Sequence, residues 1–166
     1  IIRPILRGRD IKRYSYEFAD QYIIATFPSK QYNIDDYQAL KSYLLGFGIE
    51  RLEQTGKEYS IAGEKIKARK KTNNKWFETQ DSISYWDEFS KPKIVWGNLN
   101  TSGSYAIAPE NIFINAPSCM IVPGNNYILA VLNSKVADYY IRTLGVVRNG
   151  GFFEYKPIVP LAPPYV

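Results

Sequence analysis

Short apolar runs separated by prolines constrain the fold of this chain most, because they exclude long strands from its third quarter. Residues 93–96 (KIVW) form a β-branched and aromatic run that predicts a strand. Three further runs follow, at residues 105–108, 112–115 and 118–122, with prolines between them. Because proline cannot donate a hydrogen bond within a sheet, each run predicts one short strand. Their close spacing predicts an antiparallel meander.

Two other segments have helical periodicity. Residues 33–52 place apolar side chains on one face, and Gly46 and Gly48 predict a break into two pieces. Residues 126–143 predict a second helix or helix pair, with a new cap at Asn133 and Ser134. We expect the apolar face of this second segment to include Ile128, Leu132, Val136, Tyr139 and Tyr140.

The remaining segments complete the predicted fold. Short strands are expected at residues 22–27, 76–79 and 152–155, and the polar residues 54–74 predict a loop with a frayed helix. Four prolines within residues 157–166 predict an extended exit segment. We therefore expect one α+β domain over residues 1–166, with a twisted, mainly antiparallel sheet and two main helical segments.

Several classes of chemistry are excluded by what the 166 residues lack. There is no histidine, which excludes histidine-based catalytic triads and imidazole metal ligands. Cys119 is the single cysteine, so an internal disulfide or a cysteine-rich zinc site is excluded. The glycine-rich phosphate-binding motifs and the G-x-S-x-G nucleophile motif are absent. No run of about 18 apolar residues predicts a membrane span.

One nuclease-like pattern has to be weighed. Glu154 and Lys156 form an E-x-K triplet, and Asp138 precedes it by sixteen residues. Two carboxylates and a lysine can hold Mg²⁺ and stabilise a leaving phosphate. Such triplets are common by chance, however, and Asp138 lies in a helical pattern. The sequence favours a surface pair near a turn over a catalytic centre.

Positive charge is concentrated in the first half of the chain. Residues 1–80 carry 15 basic and 10 acidic side chains, whereas residues 81–166 carry six of each. The excess lies in two clusters, residues 3–13 and residues 65–75. Lysine and arginine at phosphates release counterions, which gives affinity for a polyanion without sequence information. Contact with nucleic acid explains this distribution better than a solvated loop does.

The second cluster also contains groups that can contact base edges. Asn73 and Asn74 lie within it, and asparagine can pair bidentately with adenine as arginine does with guanine. Trp76 follows directly. Its indole can stack on a base, but packing in the core is the stronger expectation for this residue alone.

Three stretches together resemble the TaqI-like C-terminal specificity domain of restriction-modification enzymes. These are residues 3–14 (RPILRGRDIKRY), residues 75–80 (KWFETQ) with Tyr85 and residues 91–96 (KPKIVW), and residues 127–135 (YILAVLNSK). The resemblance extends from Arg3 to about Pro160. The TaqI-like domain is also similar in fold to the recognition domains of type I specificity subunits.

The resemblance implies a DNA reader without catalytic, cofactor or metal residues of its own. The parent enzyme, of the type II restriction-modification class, would be an adenine methyltransferase that uses S-adenosylmethionine. It would also need Mg²⁺ if it carries a nuclease. The chain begins at Ile1 rather than methionine, so we expect it to be part of such a parent. Partners would be double-stranded DNA and the methyltransferase domain of the same chain, in the cytoplasm and without a membrane.

Phosphate contacts position such a domain, and groove contacts specify the sequence. We expect Arg7, Arg9, Lys12 and Arg13 to be positioning contacts. A second set is predicted to form the loop that meets DNA, and a third set a candidate loop beside two glycines. The second set is Lys67, Arg69, Lys70, Lys71, Asn73, Asn74, Lys75 and Trp76, and the third is Arg148 and Asn149. For the third set an ordinary turn is an equally good interpretation.

Other functions stay open on the residues alone. Fourteen tyrosines within a basic chain can stack on bases, as in modules that bind single-stranded DNA or RNA. A protein-interaction domain is a third possibility. The nuclease interpretation comes last.

Overall fold

The computed structural model describes residues 1–155. These residues divide into two compact units. The hairpin unit contains Ile1 and Ile24–Tyr85, and the sheet unit contains Ile2–Ile23 and residues 86–155 of the described chain. The proline-rich exit segment predicted at residues 157–166 lies outside the described residues.

Helices and strands are mixed along the chain, which confirms the predicted α+β class. The strands are β1 (Ile2–Leu6), β2 (Ile11–Lys12), β3 (Ser15–Tyr16), β4 (Tyr22–Ile24), β5 (Glu58–Ile61), β6 (Glu64–Lys67), β7 (Lys93–Trp96), β8 (Leu99–Asn100), β9 (Tyr105–Ala108), β10 (Phe113–Ile114), β11 (Cys119–Ile121), β12 (Val147–Arg148) and β13 (Phe152–Glu154). The α-helices are α1 (Gln38–Leu45), α2 (Ile49–Leu52), α3 (Asn126–Leu132) and α4 (Lys135–Leu144). Short 3-10 helices occur at Gly8–Asp10, Pro28–Lys30, Ile34–Asp36, Trp86–Ser90 and Asn149–Gly151.

Strand β7 is the centre of the sheet unit. It lies between β9 and β11, and both pairs are antiparallel. Ile94 and Val95 are fully buried, on opposite faces of the strand. Ile94 packs with Leu129 of α3, whereas Val95 packs with Leu6 of β1. Burial on both faces explains why β7 is a continuous apolar run rather than an alternating one.

The predicted meander is wrong for two of its strands, because β11 pairs with β7 on the side opposite β9 and β10 belongs to another sheet. β10 does not pair with β9 or β11 but lies parallel to β1, with Phe113 opposite Ile5. Aromatic packing accounts for this placement, because the Phe113 ring stacks on Phe89 at 4.1 Å and meets the edge of Trp86 at 5.0 Å. These contacts join residues more than twenty positions apart, and the spacing of the strands carries no sign of them.

The predicted helix pair is confirmed, and so is its cap. The Ser134 hydroxyl accepts from the Ala137 amide at 3.1 Å, which starts α4. The buried Asn133 side chain both accepts from and donates to the backbone of Tyr105, at 3.2 and 2.9 Å. This pairing ties the helix break to strand β9.

The apolar face predicted across the break is wrong for α4. Val136, Tyr139 and Tyr140 are 79%, 74% and 63% exposed, although Ile128 and Leu132 of α3 pack against the core as expected. A new cap at Ser134 resets the helical phase, so periodicity carried over from α3 assigns the wrong side of α4.

In the hairpin unit, α1 and α2 are separated where the two glycines predicted a break. Gly48 has φ of 87°, which a side chain with a Cβ rarely adopts, and it directly precedes α2. Ile34, Leu44 and Phe77 form the buried core of this unit, and Trp76 packs against them.

The prediction of a loop with a frayed helix at residues 54–74 is wrong for residues 58–67. Strands β5 and β6 form an antiparallel hairpin there, with Tyr59 opposite Ile66. Ala62 and Gly63 make the two-residue turn, with φ of 50° and 84°. The strand predicted at residues 76–79 is also wrong. These residues form a turn, in which the Glu78 amide donates to the Lys75 carbonyl at 3.0 Å.

The strand predicted at residues 152–155 is confirmed as β13, which pairs with β8 and β12. The Trp96 indole donates to the Tyr155 carbonyl at 2.6 Å and holds the end of β13 against the core. Across residues 1–155, no helix has both the length and the apolar composition that a bilayer crossing requires.

Candidate nucleic-acid interface

The N-terminal basic segment, residues 3–13, is organised by an ion pair. Arg7 donates to the Asp10 carboxylate through Nε at 2.8 Å and Nη2 at 2.7 Å, and its backbone amide adds a third bond at 2.9 Å. These bonds lower the pKa of the Asp10 carboxyl and raise that of the Arg7 guanidinium. Arg7 therefore holds the 3-10 turn at Gly8–Asp10, and much of its donor capacity is used there.

The three cations that follow Arg7 in this segment are exposed. Lys12 donates to the Arg9 carbonyl at 3.0 Å, and the Arg13 guanidinium donates to the Asn133 carbonyl at 2.9 Å. Arg13 also lies 5.0 Å from the centre of the Tyr14 ring. A Cβ on Gly8 would come within 3.1 Å of the Gly97 backbone, so the turn that carries Arg9 packs closely on the chain at Gly97 within the sheet unit.

In the hairpin unit, the hairpin continues into a longer structure that we call the basic ribbon (residues 53–72). Beyond β5 and β6, three backbone amides donate to backbone carbonyls across the ribbon. Ala68 donates to the Lys57 carbonyl at 2.9 Å, Gly56 to the Arg69 carbonyl at 2.8 Å, and Thr72 to the Gln54 carbonyl at 3.0 Å. The chain from 68 to 72 thus runs antiparallel to residues 53–57. Five exposed lysines lie along this ribbon: Lys57, Lys65, Lys67, Lys70 and Lys71.

Arg69 is the exception among these cations, because its side chain points into its own unit. The guanidinium donates to three backbone carbonyls: that of Leu52 through Nε at 2.8 Å, that of Glu78 through Nη1 at 2.9 Å, and that of Trp76 through Nη2. Burial lowers its pKa. It fastens the ribbon to α2 and to the turn at residues 75–78.

The loop after the ribbon is held by one of its own side chains, Asn74, and by Gln54 of the ribbon. Asn74 donates both hydrogens of its amide, to the carbonyls of Thr79 at 3.0 Å and Gln80 at 2.9 Å. The buried Gln54 amide donates to Lys75 and Glu78, at 3.0 and 2.8 Å. Asn73 and Lys75 remain exposed on this loop.

Trp76 is half-buried, and its ring meets Phe77 edge-on at 5.6 Å in the core of the hairpin unit. This agrees with packing as its first role. The predicted DNA contact of Trp76, like those of the other residues named from the sequence, stays a prediction.

Arg148 and Asn149 lie where β12 ends and a short 3-10 helix begins. The Arg148 guanidinium donates to the buried Glu154 carboxylate through Nε at 2.6 Å. Gly150 and Gly151 both have positive φ, which closes the chain into a turn before β13. This agrees with the turn interpretation.

The residues of the nuclease-like pattern have structural partners. The Asp138 carboxylate accepts from the Gly103 amide and from the Tyr155 hydroxyl, both at 2.7 Å. Glu154 accepts from Arg148, and Lys156 lies outside the described residues. Within residues 1–155, no three histidine, cysteine, aspartate or glutamate side chains are grouped so that they could hold a metal ion. Asp138 thus anchors the loop at Gly103 and the end of β13.

Sequence reasoning missed the hairpin itself and the role of Lys57. The signal was present but weak: Ala62 and Gly63 form a turn between runs that contain Tyr59, Ile61 and Ile66. The apolar residues lie only on one face of each run, as in a strand exposed on its other face, but each run has only four residues and one or two apolar side chains.

Comparison with known proteins assigns the chain to a family. No curated protein matches the chain. The family described as TaqI-like C-terminal specificity domain matches residues 3–158, which include nearly all of the described structure and both basic segments. The chain therefore belongs to the TaqI-like C-terminal specificity domain family.

Proposed function

We propose that this chain recognises a specific sequence in double-stranded DNA for a restriction-modification enzyme. The observation that carries the proposal is the basic ribbon: five exposed lysines lie on a hydrogen-bonded, two-stranded element in a member of a specificity-domain family. Such a surface suits the phosphates of a duplex, and its neighbouring polar side chains suit base edges.

The geometry favours some of the predicted contacts over others. Lys67, Lys70, Lys71, Asn73 and Lys75 are exposed on the ribbon and the loop that follows it. Arg9 and Lys12 are exposed in the N-terminal segment, and the bond of Lys12 to the Arg9 carbonyl uses one of the three hydrogens of its ammonium. By contrast, Arg7, Arg69, Asn74 and Arg148 already donate within the fold. We assign the first two groups to DNA and the last group to support.

Catalysis would belong to another part of the parent protein. We propose a parent with an adenine methyltransferase domain that binds S-adenosylmethionine, and with Mg²⁺ where a nuclease is present. We assign neither cofactor to residues of this chain. The methyltransferase domain would then supply part of the DNA contact, and the complex would act in the cytoplasm.

A binding selection tests the proposal. The protein is incubated with randomised duplexes and randomised single strands, at two salt concentrations, and fluorescence anisotropy and sequencing follow. We expect a preference for duplex, affinity that decreases steeply with salt, and one enriched short sequence. A preference for single strands would favour the stacking module instead, and equal retention of all duplexes by the whole parent enzyme would contradict the proposal.

A further inference from the structure

We propose that the β5–β6 hairpin enters the major groove and contacts G·C base pairs through one polar face, formed by Glu58, Ser60, Lys65 and Lys67. The inference rests on the proposed function, and it names the element and the groove by which the target is read.

The pairing register places these four side chains together. Lys67 lies directly opposite Glu58, and Lys65 directly opposite Ser60. Residues two apart on a strand point to the same face, so all four share one side of the hairpin. All four are exposed.

The opposite face is already engaged in the hairpin unit. The Tyr59 hydroxyl donates to the Glu53 carboxylate at 2.6 Å, and Glu64 lies 4.0 Å from the Arg51 guanidinium of α2. Tyr59 and Ile66, which are paired across the strands, are half-buried. The polar face is therefore the side of the hairpin that can meet a partner.

The tip of the hairpin extends into open space. A Cβ added to Gly63 would meet no atom within 4 Å. Two strands about 4.8 Å apart fit a major groove about 12 Å wide, which admits a two-stranded ribbon. The backbone bonds of the ribbon and the side chain of Arg69 hold the base of the hairpin in the hairpin unit, so the two strands stay paired beyond β5 and β6.

The chemistry of the polar face selects G·C pairs. Lysine donates to guanine O6 and N7, glutamate accepts from cytosine N4, and serine serves either base. All of these atoms lie in the major groove. A face that bound phosphates alone would gain nothing from Glu58, because a carboxylate repels them.

The experiment compares two double variants of the whole protein on the duplex that the selection enriches. Lys65→Gln/Lys67→Gln removes the two lysines of the polar face. Lys91→Gln/Lys135→Gln removes the same charge from exposed positions of the sheet unit and is the matched control. We expect the hairpin variant to bind the enriched duplex about tenfold or more weakly and to lose its preference for guanine at one or two positions. The control keeps that preference, and Lys65→Arg/Lys67→Arg restores it.

Altered bases locate the contact. Replacing guanine by 7-deazaguanine removes the N7 acceptor, so it should weaken binding of the unaltered protein and leave the Lys65→Gln/Lys67→Gln variant unaffected. Replacing guanine by inosine alters only the minor-groove edge and should have little effect on either protein.

The outcomes separate this inference from the function on which it rests. Unchanged sequence preference in the hairpin variant overturns the inference and leaves DNA recognition intact. An equal loss on every duplex, with a smaller salt dependence, also overturns it, because the lysines would then contact phosphates only. Failure of the unaltered parent protein to prefer any duplex overturns the proposed function and this inference together.

Discussion

The two basic segments of this chain contain similar charges but use them differently. In residues 3–13, Arg7 organises the backbone through its ion pair with Asp10, three positions away. In the basic ribbon, Arg69 takes the supporting role with backbone carbonyls, and the five lysines are exposed. In both segments an arginine holds the structure.

The different uses of arginine and lysine follow from the shapes of their charged groups. The planar guanidinium has five donors in a fixed fork, so it can satisfy several carbonyls or both oxygens of a carboxylate at once. The ammonium of lysine is a compact and strongly hydrated charge that is more easily left in water. Counting basic residues along the sequence therefore overestimates the surface that is available to DNA.

Removal of Arg69 should have the largest effect. Arg69→Ala leaves the carbonyls of Leu52 and Trp76 without their side-chain donor, and it removes one of the two side-chain donors to the Glu78 carbonyl, which still accepts from the Gln54 amide. We expect the free energy of unfolding to decrease by about 3 kcal/mol or more, measured by urea denaturation. The matched control is Arg51→Ala, since the Arg51 side chain is 57% exposed and its ion pair is long at 4.0 Å. A loss below about 0.5 kcal/mol is expected there. Equal losses in the two variants would contradict a supporting role for Arg69.

Lys93 is an exception to the contrast between supporting arginines and exposed lysines, because this lysine is fully buried. Its ammonium donates to the carbonyls of Phe89, Lys91 and Pro109, at 3.0, 3.1 and 2.9 Å. Lys93→Met should destabilise the protein by about 2 kcal/mol, because the carbonyls of Lys91 and Pro109 lose their donor, whereas the Phe89 carbonyl still accepts from the Asn111 amide. Thermal and urea denaturation at neutral pH measure this loss, and a stability equal to that of the unaltered protein would show that the carbonyls find other donors.

Lys93 also predicts the pH dependence of stability. Burial lowers its pKa to about 8 from the ordinary 10.5. Between these values the unfolded chain binds more protons, so the free energy of unfolding rises with pH. Burial raises the pKa values of Tyr105 and Tyr155, which makes stability fall above their ordinary value of 10. Denaturation between pH 7 and 9.5 should show the rise in the unaltered protein and its absence in Lys93→Met. A rise of the same size in the variant would exclude Lys93 as its cause.

The Arg7–Asp10 pair should give a smaller effect that appears in acid. The pKa of the Asp10 carboxyl is lowered mainly by its hydrogen bonds to Arg7, from an ordinary 3.8. Its contribution to stability is therefore complete above that value and is lost as the pH falls through the folded pKa. Asp10→Asn should be less stable than the unaltered protein at neutral pH, and the two should converge in acid. Denaturation at pH 7 and at pH 3 tests this, and a constant difference would contradict it.

The exposed lysines should affect stability least. Lys70→Gln/Lys71→Gln should change the free energy of unfolding by less than about 0.5 kcal/mol. Binding to duplex should nevertheless weaken, and the slope of log affinity against log salt should decrease by about 0.9 for each phosphate that the variant no longer neutralises. An unchanged slope would remove these two lysines from the interface.

The sequence predicted best the elements that depend on neighbouring residues. Strand β7 follows from one apolar run, and the breaks at Gly48 and Ser134 follow from local backbone preferences. The hairpin at residues 58–67 was not predicted, because its strands are polar on one face and its pairing is recognisable mainly from the turn.

The supporting residues of the interface could not be predicted for a related reason. The acceptors of Arg69 lie at Leu52, Trp76 and Glu78, and only the fold brings these carbonyls to one guanidinium. Asn74 was predicted to contact a base from its residue type, and its type is equally suited to the carbonyls of Thr79 and Gln80. Residue type indicates which hydrogen bonds a side chain can donate, and the fold determines which acceptors it meets.

Lysine acylation in the presence and absence of duplex DNA tests most directly the claim that the ribbon lysines face DNA. Mass spectrometry would compare the reactivity of each lysine in the protein alone and in its complex with the enriched duplex. We predict that Lys65, Lys67, Lys70 and Lys71 become protected, while Lys41, Lys91 and Lys135 keep their reactivity. Equal reactivity of the ribbon lysines with and without bound duplex would contradict the account.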